Sequence, residues 1–86
     1  MKKAKQTAAQ TYAERQNDVG VLLDLIAQEM QVHAERQAED PRNWGFAGDL
    51  GEVKRGLMET LSFLMGGQDE NANREMIEAH LAEMRK

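Results

Sequence analysis

The sequence predicts an all-α protein of three helices, a long N-terminal one followed by a helical hairpin, assembled as a dimeric bundle. Three observations carry this. Ala, Leu, Met, Glu, Gln and Arg, which lose little rotamer freedom in a helix, are plentiful, while aromatic residues make up only 5% of the chain. Apolar side chains recur at steps of three and four, the spacing of one helix face. The chain is punctuated twice, at Pro41 and at Gly66-Gly67.

The first helix is expected over about 7–39. Ala9, Tyr12, Gln16, Val19, Leu23, Ile26, Met30, His33 and Gln37 fall on one stripe. Leu22 and Leu25 widen it, so Val19 to Met30 is expected to be its firmly buried part, and both ends turn polar or small. Gly20 costs about 1 kcal/mol against Ala inside a helix, and Asn17-Asp18 offers a cap before it. The absence of a strong breaker from Thr7 to Gln16 nevertheless favours one continuous helix. Pro41 disfavours helical backbone in the residue before it, which puts the end at Asp40.

Residues 40–48 read as an aromatic hinge. It holds the only Pro and the only Trp of the chain, with Phe46, Gly45 and Gly48. Glycines there suit a positive φ or a close backbone approach. Trp44 and Phe46 are expected to fold back and plug the end of the bundle, the competing role being an exposed anchor for a partner.

A second helix is expected over about 49–65. Asp49 and Glu52 have capping-box spacing. Leu50, Val53, Leu57, Leu61 and Leu64 form its stripe, flanked by Met58 and Met65, and Gly66-Gly67 supplies an αL residue to close it. Phe63 lies off this stripe with Gly56 and Thr60, either to touch the third helix or to offer a flat face to another backbone. The third helix is expected over about 69–85, capped by Asp69 or Asn71. Its apolar set, Met76, Ile77, Leu81 and Met84, is thin.

The chain is read as a single domain over 1–86, with 1–6 a disordered tail. At 86 residues one core is barely sufficient. The first helix would be roughly 50 Å long and the second about 25 Å, so a hairpin cannot cover the long stripe. Self-association as a homodimer is the simplest cover.

The chemistry-bearing residues are few. With no cysteine there is no disulfide, thiolate metal site or cysteine nucleophile. His33 has Glu29 four residues before it but Gln37 four after. His80 has Met76 and Met84 at those positions, so no metal site is expected. Glu75 and Glu78 match one half of the acidic pairing of magnesium-dependent all-α pyrophosphohydrolases, and the Glu-x-x-Asp half is missing. A net charge of −4 disfavours nucleic acid. No apolar run reaches a membrane span and no signal-peptide core follows the basic start, so a soluble cytoplasmic protein is expected.

The function expected from these residues is a small helical protein-interaction or regulatory accessory module, without enzymatic activity or cofactor. Its partner-binding residues would be Trp44, Phe46, Met58 and Phe63. The alternative is a small enzyme whose acidic metal pocket forms at a dimer interface from Glu29, His33 and Glu75 or Glu78.

Overall fold

The computed structural model describes residues 6–67 and 69–85, and among them all regular structure is helical. There are three helices, α1 (Ala8–Glu39), α2 (Trp44–Met65) and α3 (Glu70–Met84). By internal contacts the chain divides into two units, one ending at Arg42 and the other beginning at Asn43.

The first unit is built on α1. Its start is fixed by a capping box: the Thr7 hydroxyl accepts from the Gln10 backbone N–H at 3.1 Å. The Gln10 side chain accepts from the Thr7 N–H at 2.8 Å. Two of the donors orphaned at a helix start are thereby satisfied. Gln6, the described residue of the expected tail, is tied to this turn; its amide donates to Glu14 at 3.0 Å. Residues 1–5 of that tail lie outside the described residues. The helix passes unbroken through Gly20. It ends where Pro41 requires, and the Asp40 N–H turns back to the Gln37 carbonyl at 3.1 Å. α1 buries none of its residues, which corrects the expected burial from Val19 to Met30: α3 packs on α2, and no described element covers that stretch.

In the second unit the hinge is shorter than the sequence suggests. Asn43, not Asp49, caps α2, and its Oδ1 accepts from the Gly45 N–H at 2.8 Å. A capping side chain beyond Pro41 lets the helix begin at once, because the intervening glycines weaken a helix without forbidding it. Glu52 pairs with Arg55. Gly45 and Gly48 are helical and have no positive φ. A Cβ at Gly45 would lie 2.9 Å from Asn43 Oδ1, so there the glycine serves close approach.

At the far end the punctuation holds, with one correction. Gly66 and Gly67 have φ of 73° and 81°. Gly66 pairs its φ with a ψ of −156°, which is not αL but the neighbouring region open essentially to glycine alone. Asp69 then caps α3, accepting from the Asn71 and Ala72 N–H groups at 3.0 and 3.1 Å.

The hairpin is fastened by a side chain. Because the Gly66 N–H turns to the Phe63 carbonyl, the Ser62 carbonyl loses its helical donor. Asn73 supplies the replacement. Its Nδ2 donates to the Gly66 carbonyl at 2.8 Å and to the Ser62 carbonyl and hydroxyl at 3.2 and 3.3 Å. Two hydrogens thus serve three acceptors. Asn73, Ile77 and Leu81, four residues apart, are the covered face of α3, and Ile77 is its one buried residue at 7% exposure. On α2 the half-buried Met58 and Ser62 face them.

Candidate partner-binding surface

The α2–α3 contact leaves the main stripe of α2 uncovered. At about 100° per residue, Met58 and Ser62 sit to one side of the line through Leu50, Val53, Leu57, Leu61 and Leu64. Those five side chains remain 38–72% exposed. The third helix therefore packs on the flank of the leucine stripe, because the Asn73 clasp sets its direction.

α1 presents the larger surface. Val19, Val21, Leu22, Leu23, Leu25, Ile26, Met30 and Val32 are all exposed. On a helical projection they cover an arc of about 200°. An arc that wide exceeds the seam made with one partner helix, which would cover Val19, Leu23, Ile26 and Met30 and leave Val21, Leu25 and Val32 on the far side.

The residues singled out from the sequence separate into two places. Trp44 and Phe46 stand in the first turn of α2. Trp44 is 85% exposed, so it plugs no core among the described residues, whereas Phe46 is half-buried. Met58 and Phe63 lie near the other end, roughly 20 to 30 Å along the helix at 1.5 Å per residue. Phe63 is also 85% exposed, so of its two expected roles the exposed face fits better than a contact buried on the third helix. α3 leans on the Met58–Ser62 side instead.

Met58 and Phe63 do share a feature. Together with Glu59, Ser62, Gly66, Glu70, Asn73 and Arg74 they line an open groove of about 610 Å³ beside the glycine turn. Its walls mix one ring, one thioether, two carboxylates and a guanidinium. That makes a surface for a mixed apolar and charged segment rather than a closed catalytic pocket.

Electrostatics around α2 are local. Arg55 bridges Glu52 and Glu59, the latter at 3.1 Å. The hydrogen bond that Arg55 donates to Glu52, then the charges of Glu52 and Glu59, raise the Arg55 pKa above its ordinary value. A raised pKa stabilises the fold below the unfolded value and is lost only as pH climbs through the folded one. For a guanidinium that window lies far into alkali, so the pair brings no pH dependence near neutrality.

Sequence reasoning missed Asn73. Asn73 stands in the first turn of α3, close behind the Asp69 cap, where an Asn is unremarkable, so the sequence offered no signal for it. Among the described residues no three His, Asp or Glu side chains gather as a metal site. No described helix is long and apolar enough to cross a membrane. Comparison with known proteins finds no matching family model, no matching curated protein and no matching solved structure.

Proposed function

We propose that this chain is a helical protein-interaction or regulatory accessory module that works as a homodimer and has no enzymatic activity of its own. One observation carries the reading. Ile77 is the single buried hydrophobic residue among those described, while α1 and the leucine stripe of α2 stand exposed. Exposed apolar faces of that extent mark interaction surfaces. Six methionines add side chains that adapt to irregular surfaces. Trp44, Phe46, Met58 and Phe63 are the proposed contacts for a further protein, two at each end of α2.

Sedimentation equilibrium at micromolar concentration tests the assembly. The expected mass is twice the 9.7 kDa of the chain, and a monomer at every concentration refutes the proposal. The enzymatic alternative makes a different forecast. An acidic pocket of Glu29, His33 and Glu75 or Glu78 would raise the melting temperature when magnesium, manganese or zinc is added. The accessory-module reading expects no such rise.

A further inference from the structure

We infer that α1 is the dimer seam, and that it pairs with α1 of a second copy in antiparallel orientation about a two-fold axis between Leu23 and Ile26. The inference rests on the homodimer reading and specifies it. The stripe on α1 alternates steps of three and four without a break, so its period is 3.5 residues. That is the period of a two-stranded seam, on which positions a and d face the partner.

The stripe has the same character read from either end. Leu23 and Ile26 stand at its centre, then Val19 and Met30, then Gln16 and His33, and last Tyr12 and Gln37. In an antiparallel pair an a residue packs against a d residue of the other helix. Each of these couples then becomes a layer, formed twice across the two-fold axis. Aliphatic meets aliphatic in the middle, and hydrogen-bonding groups meet each other outside. Such a patch is self-complementary, as an isologous interface requires.

The edges of the stripe give an independent indication. Ala13, Gly20, Ala27 and Ala34 recur every seven residues along one side, and the other side carries Arg15, Leu22, Glu29 and Arg36. Antiparallel pairing sets like edge against like edge. The small edge lets the backbones approach, while the long side chains share the wider side. A parallel pair would set long against small on both sides.

A parallel pair would also stack Gln16, His33 and Gln37 each on its own copy. Two facing imidazoles repel once both are charged, whereas the amide of Gln16 offers His33 a donor and an acceptor. The antiparallel arrangement does bring Arg15 level with Arg36 of the second copy. That repulsion is solvent-screened and small beside the burial of the four central aliphatic side chains of each chain.

Cysteine cross-linking tests this cleanly, because the chain has no cysteine. In the antiparallel pair Val19 lies about 16 Å along the axis from its own copy, too far for a disulfide, but level with Met30 of the second chain. Val19→Cys and Met30→Cys, oxidised singly, should stay uncross-linked; the double variant should cross-link to twice the chain mass. Gln16→Cys with His33→Cys repeats the test at a polar layer should the first pair unfold. Cross-linking of the single variants means a parallel seam and overturns the inference. A dimer by sedimentation whose double variants do not cross-link also overturns it, leaving the homodimer reading intact. A monomer by sedimentation removes both.

Discussion

α1 and the α2–α3 hairpin have similar ends and different middles. α1 and α2 each begin at a side-chain cap, Thr7 in one and Asn43 in the other, and each ends where Pro41 or Gly66 stops the ladder. Between its ends the hairpin has a tie, the Asn73 amide bound across the turn, and a residue buried between its helices, Ile77. α1 has 32 residues and buries none of them. Isolated helices are marginal in water, since nucleation is costly and propensity adds little per residue. The hairpin thus has a tie inside the chain, and under the homodimer proposal the order of α1 comes from the second copy.

Breaking the hairpin's tie should have the largest effect. Ile77→Ala removes its one buried side chain at a cost of about 2–4 kcal/mol. Hydrogen exchange should then accelerate across α3 while α1 keeps its protection. Equal loss in α1 would show that the two regions are not separately held. Asn73→Ala comes next, at about 1–2 kcal/mol, because it removes the bonds across the turn and leaves the half-buried Ser62 carbonyl without its donor. The melting temperature should fall and exchange should quicken around the turn.

On the other side of the comparison, Gly20→Ala should stabilise α1 by about 1 kcal/mol, since Ala is the better helix former. Space for the new methyl is open; no atom lies within 4 Å of it. A melting temperature that falls would mean something packs against Gly20 too closely for a methyl. The smallest effect belongs to Trp44→Ala, within about 0.5 kcal/mol for an exposed side chain. As the sole Trp, Trp44 should fluoresce as a solvated indole in the dilute chain. Blue-shifted emission there would contradict its exposure.

Much of this was legible beforehand, and the failures have physical causes. The stripe of α1, its passage through Gly20 and its end at Asp40 follow from periodicity and from proline's effect on its neighbour. The stop at Gly66-Gly67 follows from glycine's access to positive φ. The start of α2 was misplaced because Asp49 and Glu52 have capping spacing. Spacing cannot reveal that Asn43 already caps a helix six residues earlier. The exposure of Trp44 and Phe63 was legible only as one of two alternatives, since spacing does not say which side of α2 the third helix covers. That side is set by one amide, Asn73, whose partners are carbonyls and a hydroxyl with no pattern in the sequence.

The central claim is that α1 owes its order to a second copy. Thermal unfolding of the full chain, followed by circular dichroism at 222 nm over about a thousandfold range of concentration, tests it most directly. The account predicts a midpoint that rises steadily with concentration, with helix content lost on dilution as the dimer dissociates. A midpoint and helix content that stay constant across the range would contradict it.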